Sequence, residues 1–481
     1  MNNKYDVIII GAGISGVGMA CQLKRQHPNK SFLVLERRAN IGGTWDLFRY
    51  PGIRSDSDML TFGYKFRPWL GDTILAEGGD IKNYIADTVE DFKLTKNICF
   101  NTKVKAADWS STENQWTITI QEEGSEQTNI IKCQYLVSAA GYYNHDQGHL
   151  PEFAGRDNFK GDLVHPQKWP QDLDYSNKKV VVIGSGATAI TLIPAMAEDV
   201  EHITMLQRSP TYIFSVPGKD KVGIVLRKFL PDSWVYRLSR FRNIKLQSSI
   251  FRACRRFPDF MKRFFIGRVE KSLAGSTDIG NFTPSYAPWD QRLAAVPDDN
   301  LFNAIRSGKA SVVTDHIETL TEKGIQLKSG QHLDADIIVS ATGLKLQILG
   351  GMSVTIDGKA QSFSDKLAYK GVLIEGVPNF AYLFGYTNAS WTLKIDMAAD
   401  YVCRLLTEMD KHQHQVVTPV ANDGEHQQDS ILCSLTASYV KRDKAVFLRQ
   451  GKSNNWHVHH SFEKDKKMYQ QPLADPALKY Q

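Results

Sequence analysis

Two glycine clusters in this chain have the spacing of dinucleotide-binding loops. The first consists of Gly11, Gly13, Ser15 and Gly16. It follows a β-branched apolar run at 7–10, and glycines at this spacing allow a tight turn and bring the backbone close to a pyrophosphate at a helix N-terminus. The serine can offer its amide and hydroxyl to the same phosphate. Glu36 ends the next predicted strand, 20 residues after the last glycine, where an acid binds a ribose 2′-hydroxyl.

The second cluster repeats this pattern with alanine in place of the third glycine. Its loop comprises Ile183, Gly184, Ser185, Gly186, Ala187, Thr188 and Ala189. The following strand ends in Gln207 and Arg208, where the first unit has an acid. Because a guanidinium matches the charge of a 2′-phosphate, we predict NADPH in this second site. The alternative interpretation of Arg208 is a solvated cation at a strand end. A flavin beside a nicotinamide provides a route for hydride, so we predict FAD in the first site.

Two short apolar segments, 135–141 and 337–343, resemble each other and flank the second unit. They predict an α/β fold with two Rossmann-like dinucleotide-binding domains, the NADPH domain being inserted into the FAD domain. The predicted parts are a first FAD segment at 1–146, an NADPH domain at 147–335 with a basic helical insertion at 212–280, and a second FAD segment at 336–481. Two antiparallel strands are expected at 98–104 and 115–120, with the backbone of Val104 facing the adenine.

Residues 219–271 differ from the rest of the chain and are here called the basic segment. They contain 15 Lys and Arg against 4 Asp and Glu, interleaved with aromatic residues. This pattern predicts basic amphipathic helices. Three interpretations stay open: contact with an anionic membrane surface, a lid over the substrate entrance, or a helical insertion with a solvated basic face. No nucleic-acid-binding motif accompanies the basic charge.

Composition limits the class of protein. Hydrophobic residues make up 42% and charged residues 23% of 481, which excludes a disordered or collagen-like chain. No apolar run approaches the roughly 18 residues of a membrane span. Six widely spaced cysteines without a CxxC pair argue against a zinc site or a secreted disulfide framework. We therefore expect a cytoplasmic enzyme without a metal site, peripheral membrane association and oligomeric state being left open.

Residues 159–170, FKGDLVHPQKWP, match the FxGxxxHxxxW fingerprint of Baeyer–Villiger monooxygenases at every fixed position, with the expected proline after it. Residues 42–56, GGTWDLFRYPGIRSD, match a second motif of that family. Segments 282–292 and 385–394 are similar to the branch that contains the mycobacterial ethionamide-activating monooxygenase. The resemblance extends over nearly the whole chain.

This resemblance implies a class B flavoprotein that uses FAD, NADPH and O2. In such enzymes a flavin C4a-peroxide attacks a ketone carbonyl and an ester or lactone results, with sulfoxidation of thioethers as a side activity. The resemblance implies that Asp56 and Arg292 pair near the flavin as catalytic residues, and that His165 coordinates domain motion from the interdomain linker. It places Thr44, Trp45, Asp46 and Leu47 on FAD. It places Arg54, Ser55 and Asp56 beside the nicotinamide.

Other functions remain open at this point. A heteroatom oxygenase acting on nitrogen or sulfur would share the cofactors but use a protonated, electrophilic peroxide. A flavin disulfide reductase would need a redox cysteine pair near residue 45, and 42–56 contains no cysteine. A non-catalytic NADPH sensor would keep the phosphate loops but would not need Asp56 and Arg292.

Overall fold

The computed structural model describes residues 3–291, 293–432 and 438–481. Its larger sheet is built on the strand Lys4–Ile10, which pairs in parallel with Phe32–Leu35 on one side and Thr128–Ser138 on the other. A strand covered on both faces is apolar along its length, which explains the β-branched run seen in the sequence. The eleven strands of this sheet are Lys4–Ile10, Phe32–Leu35, Ile98–Cys99, Thr102–Ser110, Gln115–Glu122, Thr128–Ser138, Ser353–Ile356, Lys359–Ala360, Ala368–Tyr369, Leu373–Ile374 and Phe380–Tyr382.

The expected strand at 98–104 is divided in two. Ile98–Cys99 pairs in parallel with the end of Phe32–Leu35, whereas Thr102–Ser110 pairs antiparallel with Gln115–Glu122. The break lies at Asn101, whose φ of 53° turns the chain from one direction of pairing to the other. The predicted antiparallel pair is therefore confirmed from residue 102 onward.

The smaller sheet has five strands, all parallel. In spatial order they are Ala310–Thr314, His202–Gln207, Lys179–Ile183, Ile337–Ser340 and Asp162–Val164. The boundary predicted after 335 assigns Ile337–Ser340 to the third segment, whereas this strand is hydrogen-bonded inside the smaller sheet. Ile337–Ser340 is buried between Asp162–Val164 and Lys179–Ile183, so the chain leaves the smaller sheet for the larger one only after Ser340.

The chain passes between the two sheets at two crossings. Tyr143–Gly148 and Leu344–Leu346 lie side by side there as an antiparallel pair. Helices Ile14–Gln26 and Trp391–His412 pack on the larger sheet, and Ala187–Met196 and Asn300–Arg306 on the smaller one. The predicted α/β class with two Rossmann-like units is confirmed.

The basic segment is helical, as predicted. It contains Lys221–Leu226, Asp232–Arg256 and Pro258–Leu273, and the strands Ile213–Val216 and Ala294–Pro297 pair at its base. Arg240 fixes the long helix to the rest of the protein. Its buried guanidinium donates to the carbonyls of Leu60, Thr61 and Gly63 and lies 3.3 Å from the Asp396 carboxylate.

Shorter elements complete the chain. The remaining α-helices are Thr44–Leu47, Met59–Phe62, Gly78–Asp91, Ser438–Asp443 and Phe462–Tyr469. The remaining strands are Ile317–Thr321, Gly324–Leu327, His332–Asp334, Val417–Pro419, His426–Ser430, Arg449–Gly451 and Leu478–Tyr480. In the ranges described, none of the helices is both long enough and apolar enough to traverse a bilayer.

Candidate active site

The first glycine loop forms a tight turn against the end of a central strand. A Cβ on Gly16 would lie 1.8 Å from the Gly11 carbonyl oxygen, and one on Gly11 would lie 2.7 Å from the Ala139 carbonyl oxygen. Gly13 is the N-cap of the helix Ile14–Gln26, and no side chain of the described residues caps that helix. Its first N–H groups are therefore available to an anion, which suits a pyrophosphate.

Glu36 lies beside this loop, as the spacing predicts. Its carboxylate accepts hydrogen bonds from the Ala12 amide at 2.7 Å and the Arg38 amide at 2.8 Å. Burial raises the pKa of Glu36, and these two hydrogen bonds oppose that shift. An adjoining cavity is lined by Arg37, Arg38, Ala39, Asn40, Asp46, Arg49, Asn101, Glu123 and His145. This position suits the adenosine half of a dinucleotide.

Residues 43–47 pack directly on the loop, since a Cβ on Gly43 would lie 3.0 Å from the Gly13 Cα. The buried Asp46 carboxylate lies 2.6 Å from Arg38 Nε and 2.7 Å from Lys82 Nζ. Burial raises the pKa of Asp46, but the hydrogen bonds from Lys82 and Arg38 outweigh it and lower the pKa below its usual range. Asp46 thus anchors this turn, and the predicted contacts of Thr44, Trp45, Asp46 and Leu47 with FAD remain a proposal.

Val104 lies on Thr102–Ser110, immediately before an irregularity in the pairing of that strand with Gln115–Glu122. A bulge of this kind disrupts the regular ladder of hydrogen bonds. The predicted approach of the Val104 backbone to adenine remains a proposal.

The second glycine loop is more open than the first. Gly184 makes the close turn, because its Cβ would lie 2.5 Å from the Ala341 carbonyl oxygen. Within the described ranges, no atom lies within 4 Å of a Cβ position on Gly186, and no side chain caps the helix Ala187–Met196, whose N-cap is Gly186. The backbone at Gly186 and Ala187 is exposed. This arrangement provides an anion site with room for a phosphate next to the backbone.

The two residues predicted to bind NADPH at the end of the strand His202–Gln207 differ in their surroundings. Gln207 is buried, and its side-chain nitrogen donates to the Asn281 carbonyl and the Thr314 hydroxyl. Its amide therefore ties the strand to its neighbours. Arg208 is exposed and has no ion-pair partner among the described residues, so its charge is available to a ligand.

Arg54 is the partly buried cation of the second motif. Its Nη1 donates to the Ala295 carbonyl at 3.0 Å, whereas its Nη2 is buried and has no hydrogen-bond partner in the described part of the chain. Burial lowers the pKa of Arg54 to about 10, and the nearby Asp56 carboxylate opposes that shift. A buried donor without a partner is costly, so this atom indicates a group that the bound cofactors or substrate would supply.

Ser55 and Asp56 complete this motif. The Ser55 hydroxyl donates to the Ser57 carbonyl at 2.8 Å and accepts from the Ser57 amide at 3.0 Å, which fixes the turn. Asp56 is exposed at the end of that turn. Arg292, its predicted partner, lies outside the described residues.

The fingerprint segment, residues 159–170, packs on the smaller sheet and contacts the two chain crossings through His165. Gly161 passes so close to the Asp336 carbonyl that a Cβ would lie 2.0 Å from it, and the His165 ring occupies the place of a Cβ on Gly148. The Gln167 amide donates to His165 Nδ1, so Nε2 carries the proton and donates to the Gly343 carbonyl at 3.2 Å. Burial lowers the pKa of His165. His165 is thus a neutral ring held between Gly148 and Gly343, one on each crossing.

Comparison with known proteins identifies the family. Residues 74–349 match the flavin-binding monooxygenase-like family, and residues 9–70 match a NAD(P)-binding Rossmann-like domain. The chain belongs to the flavin-binding monooxygenase-like family. The predictions of a flavin-dependent monooxygenase and of a bound flavin and nicotinamide are confirmed.

Relatives of this flavin monooxygenase align along nearly their whole length. MymA of Mycobacterium tuberculosis, named as an FAD-containing monooxygenase, is 52% identical over 485 residues, with 100% of this chain and 98% of MymA covered. EthA of the same organism, also named as an FAD-containing monooxygenase, is 45% identical, with 99% of this chain and 97% of EthA covered. The predicted membership of the branch that contains the mycobacterial ethionamide-activating monooxygenase is confirmed.

Solved structures share the fold. An oxidised steroid monooxygenase bound to NADP has a TM-score of 0.78 at 22% identity, with 99% of both chains covered. An open structure of cyclohexanone monooxygenase has a TM-score of 0.73 at 20% identity, covering 87% of this chain and 90% of the other.

The sequence motifs missed one element of the flavin monooxygenase site. The N-terminus of Trp391–His412 reaches the first glycine loop, where Trp391 Nε1 donates to the Ser15 hydroxyl at 2.7 Å. The Trp391 ring also stacks on Tyr142, with ring centroids 5.3 Å apart. Segment 385–394 carried the signal, but only as a family similarity, because residues 15 and 391 are far apart in sequence.

Arg208→Ala is expected to raise the KM for NADPH by about 10- to 100-fold, because a charge-assisted hydrogen bond to phosphate is lost. The KM for NADH should stay nearly unchanged, since NADH has no 2′-phosphate. Steady-state kinetics with both cofactors measure this difference. Arg156→Ala, which removes another exposed arginine beside the strand Ile317–Thr321, is the matched control. Equal changes for NADPH and NADH would contradict the role of Arg208.

Proposed function

We propose that this protein is a Baeyer–Villiger monooxygenase that inserts one oxygen atom from O2 next to a ketone carbonyl. The product is an ester or a lactone, and sulfoxidation of thioethers is a side activity. The observation that carries the proposal is the contact geometry of the fingerprint. His165 packs on the two segments that connect the nucleotide units, and only glycine fits at position 161, where the chain passes close to Asp336 at the start of Ile337–Ser340.

The described residues fit the two cofactors. FAD would occupy the loop of Gly11, Gly13 and Gly16, with Glu36 on the ribose. NADPH would occupy the loop at 183–189, with Arg208 on the 2′-phosphate. When bound and reduced by NADPH, the flavin supplies activated oxygen from O2. The support for both cofactor sites is that the helix after each glycine loop begins without a side-chain cap, so its first N–H groups can bind a phosphate.

The chain's own cations would stabilise the negative charge that develops on oxygen during ketone oxygenation. A fixed guanidinium acts most strongly where water is excluded, and the buried Nη2 of Arg54 is in such a place. The resemblance assigns the second guanidinium to Arg292 and its orientation to Asp56. Arg54 Nη1 holds Ala295, three residues beyond Arg292, and so keeps the following strand next to this motif.

His165 is proposed as a positioning residue. Its Nε2–H donates a hydrogen bond to the Gly343 carbonyl at one crossing, and its ring packs on Gly148 at the other. Movement of one nucleotide unit against the other would change both contacts, so the ring can couple the two crossings without touching the reacting atoms.

We also propose that the basic segment contacts a membrane surface peripherally, with the enzyme otherwise in the cytoplasm. The support is chemical. The segment combines an excess of Lys and Arg with exposed aromatic side chains, a combination typical of helices that lie on anionic lipid surfaces.

Product analysis tests the proposed reaction. The purified FAD-loaded protein is incubated with NADPH and O2 and with linear, cyclic and aryl ketones or thioethers, and the products are identified by mass spectrometry. Esters or lactones from ketones are expected to dominate. Oxidation of thioethers and amines with no ester from any ketone would favour a heteroatom oxygenase instead.

A further inference from the structure

Exposed apolar side chains are concentrated in the basic segment. Of fifteen large hydrophobic residues exposed in the described ranges, eleven lie between 222 and 264, including Phe229 at 80% exposure and Phe241 at 64%. Single exposed hydrophobic residues are common on proteins, but a concentrated patch marks an interaction surface. The other four, Leu70, Ile130, Val420 and Val446, are scattered through the chain.

The exposed residues of the long helix form one face. On Asp232–Arg256, Trp234, Leu238 and Phe241 are spaced as neighbours on one stripe and are exposed. Four intervening residues on the other face, Val235, Tyr236, Ser239 and Arg240, are buried against the protein. Both faces of this helix therefore carry apolar side chains, and the rest of the protein covers only one of them.

The charges of this surface indicate what covers it. Arg237, Arg252, Arg256, Arg263 and Arg268 are exposed and have no ion-pair partner in the described part of the chain. Several lie over aromatic rings: Arg237 over Trp234 and Arg268 over Phe264, each 6.0 Å from the ring centroid. An anionic bilayer offers both an apolar layer for the rings and phosphates for the guanidinium groups. A soluble polyanion would leave the aromatic side chains in water.

The opposite face of the same helix contacts residues 58–60, which follow Asp56 and are here called the active-site segment. Asn243 Nδ2 donates to the Asp58 carboxylate at 3.0 Å, and Arg240 Nη1 donates to the Leu60 carbonyl at 3.0 Å. These partners follow Asp56 by two and four residues. Because an α-helix with its side chains is about 10–12 Å across, a surface on the outer face lies about one helix diameter from this segment.

We infer that the outer face of the basic segment lies on an anionic lipid bilayer and that the enzyme takes its substrate from that bilayer. The preferred substrates are then ketones that partition into membranes. This inference rests on the proposed oxygenation of ketones for the identity of the substrate, but not for the docking itself.

Flotation of the FAD-loaded full chain with lipid vesicles tests the docking. Vesicles of phosphatidylcholine containing phosphatidylglycerol should carry the protein upward, and pure phosphatidylcholine vesicles should carry far less. The combined variant Arg237→Gln, Arg252→Gln, Arg263→Gln should weaken partition on the order of 100-fold, since each charge near the surface contributes about fivefold. Added salt should weaken the binding of the unmodified protein through screening.

A second variant separates insertion of rings from attraction of charge. The combined variant Trp234→Ser, Phe241→Ser, Phe260→Ser should likewise weaken flotation strongly. The control variant Leu70→Ser, Ile130→Ser, which removes exposed apolar groups elsewhere, should float normally. Equal flotation of all variants, or none by the unmodified protein, would overturn the docking. Concentration-dependent dimerisation lost in the Trp234 variant, without flotation, would assign the face to a second copy of the chain and would likewise overturn it.

Turnover tests the source of the substrate. Anionic vesicles should raise product formation from a long-chain methyl ketone and leave that from a short, water-soluble ketone unchanged, and the Trp234 variant should lose only the former gain. Flotation without any vesicle effect on the long-chain ketone would overturn bilayer supply. Flotation with no product from either ketone would instead contradict the proposed reaction and leave the docking supported.

Discussion

Gly16→Ala is expected to yield protein without bound FAD. The added Cβ would lie 1.8 Å from the Gly11 carbonyl oxygen, so the backbone of the phosphate loop must shift. Gly11 cannot retreat, because it is itself packed against the Ala139 carbonyl at the end of a central strand. Ordinary overpacking costs about 1–3 kcal/mol, and the cost here should be larger because both colliding groups are backbone.

Flavin absorbance per polypeptide after purification measures this loss, and thermal unfolding with added FAD shows whether the cofactor still stabilises the fold. The second loop provides the matched control, since Ala189 stands where Gly16 stands in the first. Ala189→Gly should retain FAD and cost only about 1 kcal/mol through helix propensity. A fully yellow Gly16→Ala protein would contradict the assignment of the first loop to FAD.

The glycine loops were predictable because their geometry is local. Strand, turn and helix follow one another within about thirty residues, and the backbone collisions at Gly11 and Gly184 involve single neighbouring strands. Glu36 was found for the same reason, since the length of one helix and one strand fixes its place beside the loop.

Partners distant in sequence were not predictable. Gln207 was predicted among the NADPH-binding residues, but its side-chain amide donates to Asn281 and Thr314, which only the folded sheet brings near. Trp391 reaches Ser15 across 376 residues. The strand Ile337–Ser340 was predicted to belong to the FAD domain because segment 337–343 resembles 135–141. Its hydrogen bonds to Lys179–Ile183 place it in the smaller sheet.

The basic segment shows an intermediate case. Its charge and aromatic content predicted helices, and the helices are present. Composition could not distinguish the buried from the exposed face, because apolar residues occur on both. That distinction came from the contacts of Arg240 and Asn243 with the active-site segment, which depend on the tertiary structure.

Arg292→Ala is expected to lower the turnover of ketones by roughly 10²- to 10³-fold, the usual effect of removing a fixed donor from developing negative charge. Reduction of the flavin by NADPH should persist, because hydride transfer does not need that donor. Anaerobic reduction followed by single-turnover oxygenation separates the two steps. The ketone turnover of Arg292→Lys should lie between those of the unmodified protein and Arg292→Ala, since lysine keeps the charge but lacks the planar donor group of arginine.

Arg54 provides an alternative to Arg292 as the cation that stabilises the developing negative charge. Arg54 is a second cation in the same motif as Asp56, with a buried Nη2 that has no partner in the described residues, and it could stabilise the same charge alone. If it did, Arg292→Ala would retain most of its ketone turnover, and Arg54→Met would lose it. If Arg292 is the essential donor, Arg54→Met should chiefly weaken binding of NADP⁺ while oxygenation at saturating cofactor continues. Full ketone turnover in Arg292→Ala would therefore remove that residue from the mechanism and transfer its role to Arg54.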